Sequence, residues 1–282
     1  MILDPLSINH KELLYNRLKD VKTMISEYSF ANLFLFRDIH KYEVFIDMEI
    51  FIKGLTYDGF SYLMPTKPIN QIELDYLKEI SKNFDFIFPV DERWIEGKDY
   101  LKTEYKEGDS DYIYLREKIK TYSGKALHSK RNLLNYFLKE YKSRSEPLTK
   151  ERMTDARYIL EEWQKESVQS KEDTDYYSLL NAFELYDELV ICGIIYYVNE
   201  EPAGFIIGEE RGENMFLLHF AKGLTKYKGI YQYIFHSFAE VLPERYIYLN
   251  FEQDLDKENL RLSKQSYHPE FMVKKLRVSF KF

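Results

Sequence analysis

The chain has 282 residues, with 40 Lys and Arg against 47 Asp and Glu for a formal charge of −7, and 45% of it is hydrophobic. This excludes a disordered or fibrous polypeptide and a protein coated all round with positive charge for nucleic acid. A single cysteine, Cys192, excludes an internal disulfide; Lys, Glu or Asp interrupts every apolar run before it could span a membrane, and no basic-then-apolar leader opens the chain, so a reducing cytoplasm is the expected setting.

Leu13, Leu14, Leu18, Val21 and Ile25 recur at helical spacing and predict an amphipathic helix over 9–24. Three short runs over 42–47, 49–54 and 59–64, with Tyr57-Asp58-Gly59 as a turn, predict an antiparallel meander. A helix over 71–81 and a strand over 84–89 follow, then a polar stretch rich in Tyr, Glu and Asp over 96–112. The 25 Tyr and 20 Phe are read as core and sheet surface rather than as platforms for bases.

Between Arg116 and Arg144 the sign of the charge reverses: nine basic residues face Glu117 and Glu140, a local charge of +7. Leu133, Leu134, Phe137 and Leu138 form an apolar stripe, so a helix is expected from Lys130 with this stripe buried. A solvated helix face is the simpler reading of the charge; a patch for an anionic ligand or a lipid surface is the other. Ser143-Arg144-Ser145-Glu146-Pro147 resembles a linker, which divides the chain into domains 1–145 and 146–282. Helices over 153–167 and 177–188, strands over 190–198, 202–210 and 214–221, a helix over 229–241, a strand over 246–252, a helix over 257–266 and a strand over 271–280 complete the order. The fold class is α/β, mixed α+β, with each domain a mixed, partly antiparallel sheet flanked by helices.

That order resembles the GNAT acyltransferase fold. The strings Phe30-Ala31-Asn32-Leu33-Phe34-Leu35-Phe36, Gly124-Lys125-Ala126-Leu127-His128-Ser129-Lys130-Arg131-Asn132, Asn250-Phe251-Glu252-Gln253-Asp254-Leu255 and Leu260 to Pro269 are similar to an uncharacterised bacterial family related to the C-terminal domain of phosphatidylglycerol lysyltransferase. The resemblance implies two tandem GNAT-like domains, the first degenerate. It also implies an acyltransferase using CoA or acyl-CoA, with an aminoacyl-tRNA donor as the direct rival and a non-catalytic binding or scaffold protein as the third reading. The −7 overall charge weighs against tRNA, and the +7 segment keeps it open.

In a GNAT fold the loop after the fourth strand offers backbone amides to a diphosphate at the start of a helix. The matching residues here are Lys222, Gly223, Lys226, Lys228, Gly229, Ile230 and Tyr231, although Tyr227 and Lys228 replace the usual glycine-rich core; an ordinary strand-to-helix turn is the alternative. Alternation places Tyr248, Asn250 and Glu252 on one face of their strand, and Leu217, His219 and Ala221 on one face of the preceding strand. In this fold those two parallel strands splay, which would bring His219 towards Glu252. His219 and Glu252 are therefore base candidates, and Tyr267 is the acid candidate for transfer to a small-molecule amine or hydroxyl acceptor. A buried His hydrogen-bonded in the sheet, or ion pairing of Glu252 and Asp254 with Arg261 or Lys264, is the structural alternative. Six scattered histidines give no metal-ligand spacing, and neither a Gly-x-Ser-x-Gly elbow nor a P-loop is present. Peripheral lipid contact stays open.

Overall fold

The computed structural model describes residues 3–281. Its strands in chain order are β1 (Leu3–Pro5), β2 (Glu43–Ile46), β3 (Ile50–Leu55), β4 (Ser61–Pro65), β5 (Phe86–Val90), β6 (Leu101–Tyr105), β7 (Asp111–Leu115), β8 (Ser143–Pro147), β9 (Cys192–Val198), β10 (Glu201–Arg211), β11 (Met215–Gly223), β12 (Tyr248–Asn250), β13 (Phe271–Val273) and β14 (Leu276–Phe280). The helices are α1 (Lys11–Lys19), α2 (Phe30–His40), α3 (Leu74–Ser81), α4 (Arg116–Thr121), α5 (His128–Glu140), α6 (Met153–Glu166), α7 (Tyr176–Glu184), α8 (Ile230–Val241) and α9 (Glu258–Gln265). They assemble into two units. The first holds the residues up to Asp111, Gln253–Arg261 and those from Met272 onward; the second holds Tyr112–Glu252 and Leu262–Phe271.

In the first unit the expected meander forms as β2-β3-β4, and the sheet runs β1-β2-β3-β4-β5-β14-β6, with β4 and β5 parallel. Helix α2 has no counterpart among the expected elements. Its Ser29 hydroxyl accepts from the Asn32 amide at 3.2 Å, a standard N-cap, and Phe30 to Leu35 are all buried. Six consecutive buried residues show no polar stripe, so periodicity does not reveal this part of the helix. The expected strand over 271–280 breaks in two at Lys275, and β14 lies between β5 and β6. Lys275 is fully buried, with its ammonium 2.6 Å from Asp111 and 2.7 Å from Glu27; the Ser26 amide also donates to Asp111. Two carboxylates thus share one ammonium. Burial and the Asp111 charge push Glu27 up to about 7. Two residues on, Arg277 forks onto Asp109 and Asp58 at 2.7–3.0 Å.

The second unit contains the sheet β7-β12-β11-β10-β9-β8, with Phe271 of β13 at its outer edge. The β9-β10-β11 meander is antiparallel, and β12 joins β11 in parallel. Helix α8 packs on one face, where Phe238 meets Phe216, and α5 lies against it through Phe137 stacked on Tyr233 at 4.5 Å. Helices α6 and α7 cover the other face, where Phe183 meets Phe205. The expected linker at 143–147 is the edge strand β8, paired antiparallel with β9, and the division between units falls at 111/112 instead of 145/146. Ser, Arg and Glu alternate there because an edge strand can face water on one side. In α5, Leu134 and Phe137 are buried as expected, whereas Leu138 is half exposed.

Candidate functional site

Strands β11 and β12 pair only from Met215/Tyr248 to Leu217/Asn250, and beyond that point they part. At the same level β11 carries a bulge: Gly208 of β10 faces Leu218 and Ile207 faces Phe220, which leaves His219 as the extra residue. The approach of the two backbones is close, since a Cβ on Gly208 would lie 2.2 Å from the Leu217 carbonyl oxygen. A bulge re-aims side chains and shifts the alternation beyond it. Leu217 and His219 therefore do not share their face with Ala221 as expected. Past the bulge Gly223 turns to Ile230 and Ile234 of α8, while Lys222 points at Trp163 of α6.

His219 is brought to Glu252. Its Nδ1 donates to Glu252 Oε1 at 2.8 Å and its Nε2 to Glu209 Oε1 at 3.0 Å. Burial by itself would lower the imidazole pKa; the two carboxylates reverse this and raise it to about 9. At neutral pH His219 is an imidazolium with both protons engaged, which makes it a poor base and a firm anchor. Its side chain is fully buried, whereas 13% of the Glu252 side chain remains exposed. Glu252 has φ = 58°, and its amide donates to Asn250 Oδ1 at 2.7 Å. Lys264 donates to the carbonyls of Phe251 and Glu252 at 2.6 and 3.1 Å, and Arg261 forks onto Asp254. The lysine thus holds the backbone of Glu252 and leaves the His219 contact to its carboxylate. Glu209 was not foreseen. Its signal is an acid in phase with Phe205 and Ile207 on a strand whose inward face is otherwise apolar.

Tyr267 is elsewhere. It accepts from Gln232 of α8 at 2.8 Å and packs on Phe235, which in turn meets Phe251, so it belongs to the aromatic layer beneath α8. His219 and Glu209 lie on the face that α6 and α7 cover. Burial pushes the Tyr267 hydroxyl well above its ordinary range.

The residues expected around a diphosphate are distributed as follows. Gly229 caps α8 at φ = 91°, but a Cβ there would lie 2.4 Å from the Leu133 carbonyl oxygen, so the close backbone neighbour is α5. Ile230 is buried, and burial raises Tyr231. Lys222 is bonded to Asp175 at 2.7 Å and lies 3.4 Å above the Trp163 ring, Lys226 is paired with Glu201, and Lys228 lies over Tyr136. Among the described residues no group of three or more His, Cys, Asp or Glu side chains is arranged to hold a metal ion. In the first unit an open cavity of about 430 Å³ lies beside Arg17, Lys22, Lys67 and Trp94, and no expected site residue lines it.

The profile of the family "Phosphatidylglycerol lysyltransferase, C-terminal" matches residues 18–278. The chain belongs to this family. An uncharacterised protein of Mycoplasmoides gallisepticum is 28% identical over 214 residues, 73% of this chain and 67% of that one. Among solved structures, a conserved protein of unknown function from Bacteroides thetaiotaomicron is similar over the whole of both chains, with 24% identity and a TM-score of 0.84. L-PGS from Bacillus licheniformis matches over 84% of each chain at 14% identity, with a TM-score of 0.54. At these identities the two structures speak for the fold alone, a mixed sheet flanked by helices in each of two units. Among the described residues no helix is long and apolar enough to cross a membrane.

Proposed function

We propose that this protein is an aminoacyltransferase, moving an aminoacyl group from the ester of an aminoacyl-tRNA to an amine or hydroxyl acceptor at Glu252. The observation that carries this reading is the Glu209–His219–Glu252 chain, placed where β11 and β12 part. The Glu252 carboxylate takes the proton of the acceptor nucleophile, which attacks the ester carbonyl; as the bond to the ribose oxygen breaks, Glu252 returns that proton to the departing oxygen, which leaves as the hydroxyl. His219, held between two carboxylates, orients Glu252 and takes no proton itself. Membership of the lysyltransferase family supports an aminoacyl ester as donor and makes the phosphatidylglycerol hydroxyl one acceptor to try. Acyl-CoA, the other donor class of the fold, is less well supported: α5 covers Gly229, and carboxylates engage Lys222 and Lys226.

The test supplies separately charged tRNA pools and acyl-CoA to the purified protein, with small amines and phosphatidylglycerol vesicles as acceptors. Consumption of the tRNA ester above its hydrolysis rate, falling about 10²- to 10⁴-fold in Glu252→Gln, is expected. Turnover with acyl-CoA alone, or an unchanged rate in Glu252→Gln, would overturn the reading.

A further inference from the structure

The open cavity of about 430 Å³ in the first unit has no part in the chemistry above. Its size falls in the ~300–1,000 Å³ range of small-molecule sites. The end of α1, the segment that leaves β4 and the turn after β5 line it. Arg17 of α1 is held at two of its three nitrogens: Nε donates to the buried Thr66 hydroxyl at 2.6 Å and Nη2 to Glu49 Oε2 at 2.8 Å, while Lys67 takes the other Glu49 oxygen. Its Nη1 has no acceptor among the described residues. Trp94, 6% exposed, stands edge-on to Tyr28 with ring centres 5.4 Å apart, and its indole N–H finds no acceptor among the described residues either, although a buried indole ordinarily has one. Lys22, Asn70 and Gln71 add exposed side chains that likewise have no hydrogen-bond partner there. Donors without acceptors therefore gather around one space.

We infer that this cavity binds a small carboxylate with an apolar or ring-bearing body. Arg17 Nη1, Lys22 and the Trp94 N–H take up the carboxylate, and Val21 and Pro68 receive the body. An anion suits the unmatched donors, and the charge balance selects its valence: Arg17, Lys22 and Lys67 against Glu49 and Asp20 leave one positive charge, which a carboxylate matches and a doubly charged phosphate monoester exceeds. The guanidinium is fixed in orientation by Thr66 and Glu49 before any ligand arrives, so little side-chain freedom is lost on binding. Every residue of the site lies in the first unit, and the inference goes beyond the transfer reading without resting on it.

The probes are benzoate, benzamide and phenyl phosphate. The chain has two tryptophans, Trp94 and Trp163, so in a Trp163→Phe background the indole emission reports this cavity alone. Benzoate should change that emission saturably with a Kd of about 1 mM, and benzamide, uncharged and of the same shape, should bind at least ~10-fold more weakly. Lys22 is exposed and unpaired among the described residues, so Lys22→Ala should keep the melting temperature and weaken benzoate about 10-fold. Arg17→Lys keeps the charge and loses the fork, and should weaken benzoate by a similar factor; Lys22→Ala decides if that variant proves unstable. Wild-type affinity for benzoate in Lys22→Ala, or equal binding of benzamide, would overturn the inference. So would the absence of any response to benzoate in both indole emission and saturation-transfer NMR. Phenyl phosphate binding ~10-fold more tightly than benzoate would overturn the carboxylate assignment in favour of a phosphate ester.

Discussion

His219 shows how far single residues can be read. Alternation and the splay of two strands were enough to pair it with Glu252, because both depend on local periodicity. Glu209 stands out in the sequence as an acid on an apolar strand face, but its pairing with His219 does not, because the bulge that brings the two into line is set by the packing of β10 on β11. The arrangement has a pH consequence. The folded pKa of His219, about 9, lies above the ordinary 6.5, so its stabilisation is complete below about pH 6.5 and is lost as the pH rises through 9. The shift corresponds to about 3 kcal/mol. Denaturant unfolding at pH 6 and pH 10 should show a fall of this order in the wild type that is absent in His219→Gln. Equal falls in the two proteins would mean that the imidazole is neutral when folded. Glu27 in the first unit obeys the same sign in a lower window: its stabilisation is present below about pH 4.5 and is lost as the pH rises through 7. Glu27→Gln should remove that decline between pH 5 and pH 7.5, and a decline of wild-type size in the variant would mean that another group titrates there.

At the scale of elements, the signals that sequence carries well are amphipathic period and turn chemistry, and these gave the meanders, α1, α3, α6 and α8. They fail where a run of residues is buried without a break, as at Phe30–Leu35 of α2, and where a strand is polar, as in β6, whose residues beyond Leu101 are all exposed. Gly229 marks a subtler failure. A glycine at the start of a helix after a strand suggests a ligand that needs the backbone bare, yet the backbone it admits is that of α5. Gly229→Ala should therefore destabilise the second unit by about 2 kcal/mol or more, since it adds left-handed strain to a clash with a main-chain oxygen that cannot rotate away. Thermal unfolding monitored near α5, through a probe at the exposed Tyr136 position, is the check. A melting temperature within 1 °C of wild type, by the usual ~4 °C or so per kcal/mol for a domain of this size, would mean that α5 yields readily.

For the whole molecule, length suggested two domains and the resemblance suggested tandem GNAT-like copies; both units exist, but neither is a continuous half. The linker reading failed because Ser, Arg and Pro serve an exposed edge strand as well as they serve a loop, and nothing local announces that β14 returns to the first sheet. That return makes a prediction about fragments. Residues 1–145 lack β14, which pairs with both β5 and β6, and lack Lys275 and Arg277, so Glu27, Asp111 and Asp109 would be buried without their cations and Asp58 would keep only Lys106. Uncompensated buried charge costs several kcal/mol per group, a large share of the 5–15 kcal/mol that holds a domain folded. Residues 146–282 in turn lack β7, the antiparallel partner of β12, together with α4 and α5 on the α8 face. Expressed alone, each piece should show no cooperative unfolding transition and should expose apolar surface to a hydrophobic dye. Two-state melting of either isolated piece would mean that the sheets tolerate loss of an interior strand or of a covering helical layer, and that the division at 145/146 is the physical one after all.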